Sequence, residues 1–517
     1  MTKRTALDTK RTRLSRGAVS GVLAVATGLA AGELVSGLNR SLTSPVLGVG
    51  NRVVDLVPVP VKDFAISTFG THDKQALLIG LAVTIAVLAV VFGMIAARRI
   101  LIGLGGIGLF GVVGAVAAVT GRTGTTSDAI PSVVAAVIAM GLLVLLLGRR
   151  QSSTTDNIAV DPARRRFLVL SGGVAVAAVV MGSVGRALQS SAGAVARRAL
   201  LKLPSAKRPL ASIPVAAGVP ALATVTPFIT PNKDFYRIDT ALVVPRVDVD
   251  SWKLRITGMV DHERTYTYDD LLARDLVERD ITLTCVSNEV GGQLMGTARW
   301  LGVPLSELLE EAGVKSGATQ VVGRSVDGWT SGFPTAVLAA ASRDAIVAVG
   351  MNGEPLPFAH GFPARLVVPG LYGYVSATKW LERIELKTLE EFDAYWVPRG
   401  YSKQAPIKLA SRIDVPRGLA TVPAGKTAIA GIAWAQTTGV AKVELKIDDG
   451  PWQEATLASE HSINTWRQWT FEWDAPVGRH DIIVRATDRK GRLQTEKRHA
   501  PLPNGATGWH QILVFVK

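Results

Sequence analysis

Ile281–Trp300 reads I-T-L-T-C-V-S-N-E-V-G-G-Q-L-M-G-T-A-R-W, and it decides how the rest of the chain is understood. Cys285, near its head, is the only cysteine among 517 residues. Ile281–Thr284 is β-branched and alternating, which predicts a strand delivering Cys285 to its end. Ser287–Gly296 is polar and glycine-rich, which predicts a flexible loop. Two readings of the lone thiol stand on this stretch alone. Unpaired cysteines often serve as small buried hydrophobes, and a thiol at the mouth of a strand is also a ligand for a soft metal.

A second stretch, Asn352–Leu386, reads N-G-E-P-L-P-F-A-H-G-F-P-A-R-L-V-V-P-G-L-Y-G-Y-V-S-A-T-K-W-L-E-R-I-E-L. With T-L-T-C-V-S-N and T-A-R-W-L-G-V-P-L it resembles the sulfite oxidase family of molybdopterin-dependent oxidoreductases, over about residues 225–517. The resemblance implies that Cys285 ligates molybdenum as a thiolate, and coordination itself favours the ionised form. It implies that His360, Arg365 and Lys379 hold the phosphate and pterin, with Ser376 and Thr378 as hydroxyl donors. Arg offers phosphate a planar fork and Lys a point charge. A segment like N-K-D-F-Y-R contributes to the pterin site in the family, which adds Asn232, Tyr236 and Arg237; a structural role for each stays open. For Arg365 and Lys379 the residues alone allow a surface salt bridge equally well. A cysteine hydrolase pairing Cys285 with His360 lacks a clear orienting Asn or Asp.

The first 190 residues differ in kind. Five apolar runs, Gly17–Val35, Ala76–Ala97, Ile100–Val119, Ala129–Leu147 and Phe167–Met181 (weakly to Leu188), approach the ~20 residues a helix needs to cross a bilayer. Segment 51–68 is too short and proline-interrupted to cross, and reads as interfacial or as a loop. The net charge of +15 comes largely from basic clusters beside these runs: Lys3–Arg16, Arg98-Arg99, Arg149-Arg150 and Arg164–Arg166. No nucleic-acid-binding signature accompanies them, so a nucleic-acid partner is discounted. Five crossings put all four clusters on one side, the cytoplasm, with the N-terminus inside and everything after Leu188 outside. R-R-R-F-L-V-L at Arg164–Leu170 also resembles an internal twin-arginine export signal, with simple positive-inside anchoring as the alternative. None of the seven histidines lies in an apolar run, so haem clamped between helices is not expected. The bundle reads as an anchor, or a docking site for an electron-transfer partner or a quinone.

The expected organisation is a transmembrane helical anchor over 1–190, a Pro-rich linker over 191–230, an α+β molybdopterin-binding domain over 231–402, and an all-β immunoglobulin-like sandwich over 403–517. The last resembles the family's C-terminal domain, which commonly serves dimerisation; a homodimer and a tethered monomer both stand. Its row of Trp434, Trp452, Trp466, Trp469 and Trp473 reads as core.

The resemblance implies two-electron oxygen-atom transfer on a small molecule by a molybdenum–molybdopterin enzyme. Sulfite oxidases usually follow the cysteine with arginines, as in C-x-G-N-R-R, and carry a tyrosine before the next helix. Here Glu289 and Val290 follow Cys285, and Trp329 stands at the second place. An acid there repels a dianion by a few kcal/mol at an effective dielectric of about 20. The expected substrate is therefore neutral or cationic, such as a sulfoxide or N-oxide, unless Arg299 or Arg237 folds back into the pocket. The alternatives are a sulfite oxidase proper and an inactive membrane-tethered immunoglobulin-like binding protein.

Overall fold

The structure, a computed structural model, describes residues 3–39, 41–69, 72–147, 162–189, 192–213, 225–339 and 344–517. Arg149-Arg150, Pro214, Pro220 and the end of the short helix expected at Pro334–Ala341 lie outside the described residues. The chain divides into two compact units, Met1–Ala192 with Thr240–Val243, and Gly193–Asp239 with Val244–Lys517.

In the first unit, helices α1 (Lys3–Leu38), α2 (Pro45–Leu56), α3 (Val59–Phe69), α4 (Asp73–Ala96), α5 (Ile100–Val119), α6 (Ala129–Leu147) and α7 (Pro162–Gln189) follow in order. Five of these, all but α2 and α3, are long and apolar enough to cross a membrane. They pack through small residues, as helices in lipid do. A Cβ on Gly21 would sit 2.1 Å from Ala89 O, and one on Gly28 would sit 2.3 Å from Ala135 O, so only glycine lets α1 approach α4 and α6 this closely. Segment 51–68 is not a loop: it forms most of α2 and α3, broken at Val57-Pro58. Proline at the first turn of each helix is compatible with helix and stops its predecessor. The turn between α4 and α5 is only Ala97–Arg99, and Arg13 Nε donates to Ala97 O at 2.7 Å. Arg16 lies 4.6 Å over the Phe167 ring and donates to Leu146 O at 3.5 Å. The basic start of α1 thus meets the end of α4, the end of α6 and the start of α7.

The second unit opens with α8 (Ala192–Leu200) and an extended run that bridges Arg208 to Val277. Then come β1 (Lys253–Gly258), β2 (Arg264–Thr267) and α9 (Tyr268–Leu272), the last started by a capping box between Thr267 and Asp270. Strands β3 (Val277–Thr284) and β4 (Met295–Pro304) lead to α10 (Leu305–Ala312). After them lie β5 (Gln320–Ser325), β6 (Thr330–Pro334), β7 (Ile346–Met351), β8 (Glu354–Pro355), β9 (Arg365–Val367), α11 (Gly373–Ser376) and β10 (Leu381–Lys387). One sheet has the order β3-β4-β7-β8 with β9 on β7; the other runs β2-β1-β10-β5-β6, with β1 and β10 parallel. Their shared core buries Trp300, Phe333, Phe362 and Leu366 completely. The Pro334 helix is a single 3-10 stretch, Thr335–Ala339. Met295 and Gly296 belong to β4, so the loop after Cys285 closes two residues earlier than the sequence suggests.

The C-terminal part is β-rich: β11 (Ala410–Val415), β12 (Thr421–Val422), β13 (Gly425–Trp434), β14 (Val440–Ile447), β15 (Gln453–Glu454), β16 (Thr456–Leu457), β17 (Arg467–Ala475), β18 (Gly478–Asp488) and β19 (His510–Val516). These form sheets of order β11-β13-β17-β16 and β12-β19-β18-β14-β15 around Ile429, Trp469, Val484 and Val514. Trp434, Trp466, Trp469 and Trp473 are buried, while Trp452 is half-buried under the Arg485 guanidinium.

Candidate active site

The β3–β4 ladder runs as far as Thr284↔Met295, so pairing stops one residue short of Cys285. The loop that follows closes on itself: Cys285 N donates to Leu294 O (2.9 Å), Asn288 N to Cys285 O (3.0 Å) and Leu294 N to Asn288 Oδ1 (2.7 Å). Burial pushes the Cys285 thiol up, while the backbone N–H and hydroxyl of Ser287, Lys379 and the Val286 N–H pull the other way. Left to burial alone the sulfur stays protonated; a cation on it tips it to thiolate.

His360 ends one 3-10 turn, Phe358–His360, and Gly361 follows at φ 111°. A Cβ there would lie 3.0 Å from Lys379 Cα and 3.2 Å from Arg365 Cβ, so the glycine lets both cationic segments close over it. Leu366 N donates to Thr378 O (2.9 Å), which sets Arg365 and Lys379 beside each other despite their separation in sequence. Trp380 sits at φ 50°, held by Nε1 donating to Phe358 O at 2.7 Å. That left-handed turn is costly for a tryptophan and persists because its packing fixes it.

Phe235 stacks on Tyr236 and meets His360 edge-on at 5.5 Å, which brings the Asp234–Arg237 segment into the same site. Burial, then the Cys285 charge, raises the Tyr236 phenol far beyond its ordinary range, with Arg365 opposing. Burial, then Arg365, holds His360 down at about 4, so it is neutral at pH 7. Its Nε2 lies 3.0 Å from Asn232 O, which assigns the proton to Nε2 and leaves Nδ1 as an acceptor. Lys379 Nζ donates to Asp239 Oδ2 at 2.6 Å, and burial holds its pKa down at about 8. Arg237 shares the same carboxylate at 2.8 Å.

Arg365 is 5% exposed, and burial lowers it to about 10. Its Nη1 donates to His360 O at 3.1 Å and its guanidinium lies 5.0 Å over Trp300. Among the described residues no carboxylate pairs with it. Of these three cations, Arg237 and Lys379 share the Asp239 carboxylate and Arg365 does not. The surplus positive charge, desolvated, is complementary to a phosphate-bearing group.

Cys285, Tyr236, Arg237, His360, Arg365 and Lys379 therefore share one site. Asn232 and Thr378 join it through backbone carbonyls, while the side chains of Asn232, Ser376 and Thr378 bond other protein groups. Asn232 donates to Glu354 Oε1 (2.6 Å) and accepts from Asn352 (2.8 Å); Ser376 Oγ donates to Tyr372 O (3.1 Å); Thr378 Oγ1 pairs with Ser331 Oγ (2.6 Å). Such polar side chains readily satisfy nearby backbone and one another. Arg299 does not fold back into the pocket: it grips the buried Asp280 at 2.8 and 3.0 Å and Ala211 O at 3.2 Å. Trp329 lies at the β5–β6 turn, in the sheet that does not carry Cys285. Sequence reasoning missed Asp239 and Tyr372, whose phenol burial raises to about 12, with the Cys285 charge adding to the rise. Asp239 had a signal, since two residues along an extended chain from Arg237 returns to the same side.

A half-buried thiol thus lies beside a cluster of cations, and residues 241–396 match the model of the oxidoreductase molybdopterin binding domain. The chain belongs to the sulfite oxidase family of molybdopterin oxidoreductases. It is 30% identical over 341 residues to the mitochondrial sulfite oxidases of Macaca fascicularis and of Homo sapiens, covering 56% of this chain and 62% of theirs. It is 35% identical over 154 residues to the uncharacterized oxidoreductase YuiH of Bacillus subtilis, covering 30% of this chain and 74% of that one. The chain thus spans less than two thirds of the mammalian relatives.

Proposed function

We propose that the chain is a membrane-anchored, extracytoplasmic molybdenum–molybdopterin oxidoreductase carrying out two-electron oxygen-atom transfer on a neutral small molecule, with Cys285 as metal ligand. The observation that carries this is the convergence on Tyr236 of the chain's one thiol and of Arg365, a buried cation that no carboxylate pairs with among the described residues. The residues present fit the cofactor: Arg365 and Lys379 are placed for a phosphate, and neutral His360 offers Nδ1 as an acceptor to a ring N–H. When bound, the cofactor supplies the two-electron chemistry. The protein orients it, keeps the site dry and holds the sulfur ready for ionisation through Ser287 and Lys379. On this reading Asp239 shifts between neutralising Lys379 and yielding it to the phosphate.

For the substrate, Arg299 is committed to Asp280, Arg237 to Asp239, and Glu289 is exposed beyond Cys285. That charge distribution disfavours a dianion and supports a sulfoxide or N-oxide, which takes up two electrons and two protons to leave the reduced compound and water. The C-terminal sheets read as an immunoglobulin-like sandwich following a catalytic domain over 231–402, and the helices over 1–190 as the anchor that meets an electron-transfer partner or quinone. The test is metal analysis of the purified full chain beside Cys285→Ser, with sulfite, dimethyl sulfoxide and trimethylamine N-oxide as substrates and a reduced viologen as electron donor. The wild type should contain molybdenum and reduce a neutral oxide. Turnover retained by Cys285→Ser ends the ligand assignment, and efficient sulfite oxidation ends the substrate assignment.

A further inference from the structure

The loop that begins at Cys285 is held from outside by the C-terminal sheets. Arg412, on β11, is 5% exposed and its three guanidinium nitrogens reach three separate segments. Nε donates to Asp414 Oδ1 (2.6 Å), Nη2 to Thr226 Oγ1 (2.6 Å) and Nη1 to Gly292 O (2.7 Å). Asp414 also accepts from Thr226 N at 3.2 Å, so the fork is fixed before it meets the loop. His510, at the start of β19, accepts from Ile413 N through Nδ1 at 3.0 Å, which leaves Nε2 turned to the loop. Gly291 packs directly against that imidazole: at φ 82°, a Cβ would lie 2.4 Å from His510 Nε2.

We propose that Arg412 and His510 are positioning residues for the active site, clamping the tip of the 285–294 loop so that Cys285 and Ser287 keep their places. This rests on the reading of Cys285 as the centre of the site, and it gives the C-terminal sheets a part in that site. The mechanism is local. Cys285 N and Leu294 O close the base of the loop and Asn288 fills it, but the tip at Gly291-Gly292 has the freest backbone. A charge-assisted bond to Gly292 O removes that freedom. When the tip is released, Ser287 can leave the sulfur and reagent can enter.

Because Cys285 is the only thiol, alkylation of the cofactor-free full chain by iodoacetamide reports on this loop alone. Arg412→Ala should raise the labelling rate about tenfold or more, well below the melting transition, since local opening governs access. Arg412→Lys, which keeps one donor, should lie between the two. Gly291→Ala, which drives the tip and the His510 ring apart and leaves every C-terminal residue unmutated, should show the same rise. Where Arg412→Ala does not fold, Gly291→Ala decides. An unchanged labelling rate in a folded Arg412→Ala, or in Gly291→Ala, overturns the clamp. Molybdenum content of Cys285→Ser is a separate measurement, so loss of the clamp and loss of the cofactor reading are told apart.

Discussion

Replacing Arg365 by methionine should leave the cofactor-free protein as stable as the wild type, or more so, while removing its hold on the cofactor. Burial lowers this guanidinium from 12.5 to about 10. At 1.36 kcal/mol per pH unit, its charged form is disfavoured in the fold by about 3 kcal/mol. The sign follows from linkage: a base with a depressed folded pKa is a cost at every pH below that pKa, so the whole penalty is present at pH 7. Methionine fills a similar volume but forfeits the bond to His360 O at 3.1 Å and the contact 5.0 Å over Trp300. Those losses come to roughly 1–3 kcal/mol together. The balance runs from no change to a stabilisation of about 2 kcal/mol, as for buried charges replaced by apolar groups elsewhere.

Tryptophan fluorescence suits the assay, because all eleven tryptophans lie after residue 250 and report on the second unit alone. Cofactor-free Arg365→Met should melt at, or a few degrees above, the wild-type temperature. The same variant, expressed with the cofactor available, should carry little molybdenum. A variant destabilised by about 3 kcal/mol that still binds molybdenum at wild-type stoichiometry would falsify the reasoning, since Arg365 would then be a structural residue.

Lys379 makes a prediction in pH. Burial holds it at about 8 against an ordinary 10.5, so between those values the folded chain binds fewer protons than the unfolded one. This group therefore makes the cofactor-free fold more stable as pH rises through the window, while cofactor retention falls as the site loses a cation. Dialysis at pH 7 and pH 9.5 followed by molybdenum analysis checks it, and equal retention would count against a phosphate role for Lys379. On the proposal that the five long apolar helices cross a membrane, a reporter fused after Lys517 should be active only outside the cytoplasm, and charge reversal at Arg164–Arg166 should impair export. Cytoplasmic activity of that fusion refutes the five-span orientation.

The parts of this molecule that were legible in its sequence are those whose chemistry needs particular side chains. The apolar runs matched five helices because crossing a bilayer demands length and hydrophobicity and little else. His360, Arg365 and Lys379 drew attention by residue type and spacing, and the structure sets them beside one another. The proline-broken stretch after Pro45 was harder, since prolines that end one helix sit equally well in the first turn of the next. Ser376 and Thr378 drew attention as hydroxyl donors and Asn232 through its segment, and in the structure all three side chains bond neighbouring protein groups, because a small polar side chain finds partners wherever it is buried.

The clamp on the Cys285 loop left almost no trace, for a different reason. Arg412 grips a backbone carbonyl, which every residue possesses, so nothing at position 292 advertises the bond. What the sequence does display there is Gly291-Gly292, and a glycine pair in a polar stretch reads as freedom. In the structure Gly291 reflects contact: its missing Cβ is the space that the His510 ring needs. The same residue type serves a mobile loop and a tightly covered one, and only the partner, more than two hundred positions away in sequence, decides between them.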